Sequence, residues 1–401
     1  MANANLVAAK DAKKDEFYTQ LSDIQAELSH YSDKFDGKVV FCNCDDPFES
    51  NFVKYFLMNF NRLGLKELIA TGYKTSLVLG GEIGAEGHPY VLRVSDTSKY
   101  LVGTQSDLDP RGAKYFLETE ANNLMQPLIG NAAIDGNGEQ IMIAVKVPVI
   151  DENGNPVLDK KGKIKTKIDK QPLYYEAGDF RSDMCVELLK QCDIVCTNPP
   201  FSLFIEYIAQ LMAYGKQFLI IGNKNSVTFK EIFPLIRDNR LWLGCNDWSS
   251  DILFIPPDSS YIDINRPSSY KVVDGVKLLR SPSVWFTNID HSKRHQMLPH
   301  EIGCTYYGHE DMYPKYDNYD AINVDKTNFI PCDYDGVMGV PISFLAKYCP
   351  EQFEIIDCHE PAISLDVLKK LPKFTEYKSR QIMVNGKLCQ KTYHRIFIKR
   401  R

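Results

Sequence analysis

Apolar runs and helical patterns alternate along the early and middle parts of the chain. Lys38 to Cys42 reads KVVFC, a strand pattern, followed by the polar turn CDDPFES and a helical pattern from about Ser50. Phe52, Phe56 and Phe60 share one face of that helix, Val53 and Leu57 widen it, and Gly64 supplies a stop before a second strand, Glu67 to Ala70. The rhythm returns with helix-like SDMCVELLKQ, a strand from Asp193 to Cys196, a helix from Ser202 to about Met212 and the strand Gln217 to Ile221. A helix near Thr228 to Arg237 and the short strand LWLG continue it. Parallel strands need crossover connections, so repeated βα units predict an α/β fold. Its sheet is mostly parallel, helices cover both faces, and ligands sit at the C-terminal strand ends.

Residues 75 to 173 break this rhythm with β-type alternation and turn signals, which predicts an antiparallel β insertion. Within it, the turn DENGNP separates IMIAVKVPVI from GKIKTKI and predicts a hairpin with a lysine-rich return arm. Beyond Asn288 the chain is punctuated by Pro, Tyr and Asp, so the organisation expected is a main domain over 1–290, interrupted by 75–173, and a smaller C-terminal region over 291–401.

With 401 residues, 44 % of them hydrophobic, the chain can bury a sizeable core. No stretch reaches the roughly 20 apolar residues of a membrane span, and the polar start lacks a signal-peptide core, which predicts a cytoplasmic protein. Eleven scattered cysteines read as reduced thiols. The close pairs Cys42/Cys44 and Cys192/Cys196 lack a second pair at zinc-site spacing, so no metal is expected. His291, His295 and His300 read as a polar loop or a phosphate contact. The net charge of −5 argues against indiscriminate polyanion binding but leaves room for a local basic groove. Lys160, Lys161, Lys163, Lys165, Lys167 and Lys170 in one segment, or Lys399, Arg400 and Arg401 at the end, would supply one, unless they form a solvated hairpin and a frayed tail.

The sharpest chemical signal is Asn198-Pro199-Pro200-Phe201, directly after the buried strand DIVCT and directly before a helix. An exocyclic adenine amine is a poor nucleophile because its lone pair is delocalised into the ring. Acceptors that favour a pyramidal nitrogen remedy this, and the Asn198 side-chain oxygen and the Pro199 carbonyl are two such acceptors. Two prolines fix the backbone so that they converge, and Phe201 offers a face on which an extruded base stacks. The competing reading is a proline-rich turn closed by a core phenylalanine.

Three weaker signals surround it. Asn43, Asp45, Asp46, Pro47, Phe48 and Ser50 lie where a doubly wound fold brings its first loop against a cofactor, with a helix N-terminus able to face a carboxylate; the bland alternative is a capped acidic turn. Phe17, Tyr18 and Thr19 either fold over a cofactor or begin a helix. In Gly178-Asp179-Phe180, Asp179 either accepts from the adenine amine of a cofactor, with Phe180 on its ring, or caps the next helix.

Together, DEFYT (15–19), VVFCNCDDPFESNF (39–52), AGDFRSD (177–183), DIVCTNPPFSLF (193–204), FLIIGNKN (218–225), VWFTN (284–288) and MGVPISFL (338–345) resemble the EcoRI-type adenine-specific DNA methyltransferases over nearly the whole chain. The resemblance implies a Rossmann-like methyltransferase fold, S-adenosyl-L-methionine as methyl donor and N6-methyladenine in duplex DNA as product, formed by base flipping and direct in-line transfer. By it, Phe17, Tyr18 and Thr19 match the N-terminal cofactor segment and Asp46-Pro47-Phe48 the start of the first cofactor loop. Where many amino-methyltransferases continue that loop with two glycines this chain has Ser50 and Phe52, and after the second strand it has Thr71 rather than an acid for the ribose. Target recognition then falls to the insertion, through Lys163, Lys165 and Lys167, or to the C-terminal region. The partners expected are double-stranded DNA and a separately acting restriction endonuclease, with a monomer favoured. An RNA or protein-glutamine methyltransferase and a catalytically silent nucleic-acid-binding protein are the alternatives.

Overall fold

The computed structural model describes residues 18–44, 46–48, 50–72, 90–98, 101, 107–127, 133, 139–151, 156–157, 162–175, 178–246, 248–249, 251–256, 262–263, 265–298, 304–316, 319–358, 381–384, 387–390 and 395–401. The chain divides into two compact units, one built mainly on Ser32–Gln217, the other on Phe218–Phe254 and Asp258–Arg401 with Gln25–Tyr31.

Helix α1 (Leu21–Leu28) begins in the first unit and ends in the second; in the first unit, strand β1 (Val39–Cys42) and helix α2 (Asn51–Met58) lead to β2 (Glu67–Gly72). All four residues of β1 are buried, as expected of a strand covered on both faces. Phe52, Val53, Phe56, Leu57 and Phe60 bury the face read from the sequence, and Phe56 meets Phe35 edge-on at 5.3 Å. The helix ends sooner than expected, at Met58. Gly64, at φ +63°, closes the later turn before β2 instead.

The strands β3 (Tyr90–Val94) and β4 (Met125–Pro127) follow, joined by helix α3 (Pro110–Leu124). Helix α4 (Asp183–Gln191), strand β5 (Ile194–Thr197) and helix α5 (Phe204–Ala213) complete the set. The strand order is β5-β1-β2-β3-β4. β1 runs parallel to β2 and to β5, while β2/β3 and β3/β4 are antiparallel. The sheet is therefore mixed: parallel where βα units feed it, antiparallel where residues 75–173 do. That segment extends the sheet and carries a helix the β-type reading missed; Ala113, Phe116 and Leu117 are its buried apolar positions among the described residues, in a sequence otherwise rich in polar residues. The predicted hairpin is present, pairing Met142–Pro148 with Thr166–Pro172.

In the second unit, β6 (Gln217–Asn223) pairs antiparallel with β8 (Ser283–Thr287), and β8 with β7 (Trp242–Leu243). The helix expected near Thr228 to Arg237 is instead a 3-10 turn, Lys224–Thr228, and a short helix α6 (Phe233–Arg237). Glu27 is buried, and its carboxylate accepts from Cys245 N at 2.6 Å, Asn246 N at 2.8 Å and the Tyr31 hydroxyl at 2.9 Å. His291 is buried between Leu243 O at 3.0 Å and Cys245 Sγ at 3.3 Å, while His295 lies between Asp290 and Glu351, each at 2.8 Å. Both therefore serve the protein's own packing; His300 lies outside the described residues.

The C-terminal residues form a strand rather than a frayed tail. Arg395–Arg400 lies inside a four-stranded sheet between Val337–Pro341 and Phe353–Asp357, and Arg400 Nε donates to Pro331 O at 3.1 Å. Among the described residues, ten cysteines are free thiols and no helix is long and apolar enough to cross a membrane.

Candidate active site

β5 delivers the elbow. Asn198 directly follows it at 7 % exposure, Pro199 is buried, and Pro200 and Phe201 are partly exposed. Pro200, at φ −56° and ψ 122°, turns the chain into a single 3-10 turn, Phe201–Leu203, closed by Leu203 N donating to Pro200 O at 2.9 Å. The fixed φ of proline leaves this turn little freedom, so Asn198 and the Pro199 carbonyl are held at the strand's C-terminal end. Phe201, next along the chain, is only partly buried.

Hydrogen bonds from buried groups lock the elbow to the first loop. The Thr197 hydroxyl donates to the Asn43 carbonyl, and the Tyr207 hydroxyl donates to Asn43 Oδ1. Tyr207 sits one turn into α5, fully buried, with its ring edge-on to Phe180 at 4.8 Å and 78°. Burial pushes the Tyr207 hydroxyl far above its ordinary range, so it stays protonated and remains a donor. Asn43 and the 178–180 loop are thereby joined through one phenol on α5, while Thr197, next to the elbow, holds the Asn43 carbonyl. Tyr207 and Thr197 went unread in the sequence; the only signal for Tyr207 was the spacing Phe204, Tyr207, Ile208, Leu211, which also describes ordinary core.

The first loop is built by its own polar groups. Asp46 is buried; its Oδ1 accepts from Phe48 N at 2.9 Å, its Oδ2 from the Tyr90 hydroxyl at 3.1 Å, and its carbonyl from Ser50 N at 2.7 Å. Ser50 caps α2, accepting from Phe52 N at 3.2 Å. Gly72 lets this turn close, since a Cβ there would come within 2.8 Å of the Tyr90 ring and 3.4 Å of Pro47. The loop lacks the glycines common in such positions, yet Cys44 takes a left-handed φ of 80°. That conformation costs a non-glycine residue about 1–3 kcal/mol and persists only where the surroundings impose it.

Three buried hydroxyls have no hydrogen-bond partner among the described residues: that of Tyr55, on α2, and the two threonine groups Thr19 Oγ1, on a residue 2 % exposed, and Thr71 Oγ1, on a residue 1 % exposed. Thr71 lies near the C-terminal end of β2, and the Thr19 carbonyl accepts from Asn51 Nδ2 at 2.7 Å, which ties the N-terminal segment to the start of α2. An unsatisfied buried hydroxyl costs about 1–3 kcal/mol, so such groups suit a polar ligand that completes them. Tyr18 forms a short strand with Thr19; Phe17 and Asp45 lie outside the described residues.

Asp179 is engaged. Arg181 approaches it through N at 2.9 Å, Nε at 2.9 Å and Nη2 at 2.8 Å, and reaches Glu206 through Nη1 at 2.8 Å. Its side chain does not cap α4, whose N-cap is Ser182. Among the described residues, the three hydrogen bonds from Arg181 are those that the Asp179 carboxylate accepts. Lys163, Lys165 and Lys167 are exposed on the hairpin.

Comparison with known proteins gives this arrangement its context. A family described as "Adenine-specific methyltransferase EcoRI" matches residues 5–401. The Type II methyltransferase M.EcoRI of Escherichia coli is 39 % identical over 393 residues, covering 97 % of this chain and 98 % of that protein. M.MpnI of Mycoplasma pneumoniae, another Type II methyltransferase, is 33 % identical over 98 % of this chain and 97 % of its own. M.MgeORF184P of Mycoplasma genitalium is 32 % identical over the same shares. No solved structure matches the chain. With a match across nearly its full length and the Asn-Pro-Pro-Phe elbow locked to the first loop, the chain belongs to the EcoRI family of adenine-specific methyltransferases.

Proposed function

We propose that the protein methylates N6 of adenine at a specific site in duplex DNA, with S-adenosyl-L-methionine as methyl donor. The observation that supports this reading is the junction of Thr197 and Tyr207 with Asn43, a buried hydrogen-bond cluster between the segment we take to activate the amine and the loop we take to face the cofactor. S-adenosyl-L-methionine supplies a sulfonium-bound, electrophilic methyl group. Asn43, Asp46, Pro47 and Ser50 form the loop that would hold it. Thr19 and Thr71 offer buried hydroxyls that suit its polar groups, and Phe180 with Asp179 suits its adenine ring and amine.

The chain's own residues handle the acceptor. Base flipping brings adenine to the elbow, where Phe201 stacks on it. The Asn198 side-chain oxygen and the Pro199 carbonyl accept from the N6 hydrogens as positive charge grows on that nitrogen, which stabilises the transition state. Holding the amine in line lets attack proceed without a covalent enzyme intermediate. Residues 1–290 act as the catalytic domain around the 75–173 insertion, and 291–401 as a C-terminal region. Lys163, Lys165 and Lys167 meet DNA phosphates. The protein works as a monomer beside a separately acting restriction endonuclease.

The test is expression in a host lacking adenine methylation, followed by direct sequencing of modified bases in its genome. N6-methyladenine at one short recurring sequence is the expected result. A genome free of methyladenine, or methyl groups found only in RNA or protein, overturns the reading.

A further inference from the structure

The hairpin is built unlike the rest of its unit. Its strands, Met142–Pro148 and Thr166–Pro172, pair antiparallel from Met142↔Pro172 to Pro148↔Thr166, and each end is closed by a ring of three backbone hydrogen bonds. At the base, Ile141 N donates to Ala133 O (2.8 Å), Leu173 N to Ile141 O (2.8 Å) and Ala133 N to Leu173 O (3.0 Å). At the tip, Val157 N donates to Val149 O (2.8 Å), Lys165 N to Val157 O (2.7 Å) and Val149 N to Lys165 O (2.8 Å). A two-stranded ribbon alone is marginal in water, and these rings brace this one without a core.

Its base is fastened to the candidate active site. Ala133 of the base ring bridges Ser182, the N-cap of α4. The Tyr175 ring lies 4.2 Å from the Arg181 guanidinium, and Arg181 is the partner of Asp179. The ribbon therefore springs from the loop that carries Asp179 and Phe180.

The return strand is exposed from Thr166 to Gln171. Strand alternation puts Lys163, Lys165 and Lys167 on one face. Ile164, Thr166, Ile168 and Lys170 fall on the other, joined across the ladder by Met142 and Ala144. On that second face Ile168 is 72 % exposed, Ile164 52 % and Met142 51 %. Aliphatic groups left in water at intervals along one face, with Thr166 and Lys170 between them, offer contact points to a partner. Residues 142–172 hold seven lysines against four carboxylates in a chain of net charge −5, so this local excess suits a polyanion. A two-stranded ribbon fits the major groove of duplex DNA, about 12 Å wide, where aliphatic side chains meet thymine methyl groups and threonine or lysine meets base edges.

We infer that this ribbon enters the major groove and reads the target site. Lys163, Lys165 and Lys167 reach phosphates, and the face of Met142, Ala144, Ile164, Thr166, Ile168 and Lys170 lies on base edges. The inference rests on the DNA-methyltransferase reading above and adds which element confers sequence choice.

The test uses the full-length protein and two variants on opposite faces, Ile164→Ser/Ile168→Ser and Lys163→Gln/Lys165→Gln/Lys167→Gln, with thermal melting to show that both fold. Each is assayed for duplex DNA binding against salt and for methylation of the cognate site against single-base variants of it. The lysine variant should lower the slope of log K against log salt by up to about 2.7 and leave sequence choice intact. The isoleucine variant should keep the slope and lose about tenfold in discrimination. Unchanged discrimination in the isoleucine variant overturns the inference while wild-type methylation upholds the catalytic reading. So does a wild-type dimer that this variant dissociates with discrimination unchanged, since a second copy then covers the face. Absence of duplex binding by the wild type overturns both.

Discussion

The elbow cluster and the hairpin belong to one compact unit, yet they are held together by opposite means. Around Asn198 the order comes from buried side chains: the Tyr207 phenol and the Thr197 hydroxyl, which both close on Asn43. In the hairpin it comes mainly from the backbone, through a seven-pair ladder and two closed rings, while the return strand leaves its side chains exposed from Thr166 to Gln171. Groups that must activate one atom need fixed directions, which burial supplies. Groups that must meet a long, variable partner need access, and a backbone scaffold gives it without committing any side chain.

Mutations at the elbow should cost most. Asn198→Ala is expected to lower the methyl-transfer rate at least 10²–10³-fold, the scale of removing one acceptor or donor matched to developing charge. Cofactor affinity should stay within about tenfold, or roughly 1.4 kcal/mol. Single-turnover kinetics with equilibrium binding separate the two, and an unchanged rate would take Asn198 out of the chemistry.

Tyr207→Phe asks whether the lock matters as a lock. It leaves Asn43 Oδ1 buried without its phenol donor, so stability should fall by about 1–3 kcal/mol in urea unfolding, with the rate falling as well. A neutral result on both counts would show that the three segments hold their places independently.

The orphan hydroxyls give a subtler contrast. Thr19→Val and Thr71→Val remove atoms that have no partner among the described residues, so the ligand-free protein should lose no stability, or gain a few tenths of a kcal/mol. S-adenosyl-L-methionine should nevertheless bind each about five- to tenfold more weakly, by calorimetry, for the loss of roughly 1 kcal/mol. Equal affinity would mean that these hydroxyls face no ligand.

On the hairpin the expected effect on folding is smallest. Lys167→Gln and Ile168→Ser alter exposed side chains and should each shift stability by less than about 0.5 kcal/mol. A larger loss in thermal melts would mean that the ribbon leans on its side chains after all, and the contrast drawn above would weaken.

The sequence made the parallel centre and the elbow legible for physical reasons. Strands buried on both faces leave continuous apolar runs, and VVFC and IVCT stand where such runs were read. Ser50 announced its cap and Asn198-Pro199-Pro200-Phe201 its turn, because cap and turn chemistry are local. What is not local was missed. The antiparallel edge strands β3 and β4 depend on partners far along the chain, and α3 hides its short apolar face among glutamates and asparagines. The Arg181 clamp on Asp179 and the Tyr207 bond to Asn43 are side-chain pairings that no spacing rule encodes.

One ring joins residues 133, 141 and 173 at the base and the other 149, 157 and 165 at the tip, so the ribbon is tied off by its own main chain. Such a piece behaves as a cassette. Removing or adding two residues on each strand shortens or lengthens it while preserving which face each side chain occupies, and the catalytic scaffold beneath is untouched. An enzyme with a tied-off appendage of this kind can diversify what it touches by simple length changes, long before its chemistry has to adapt.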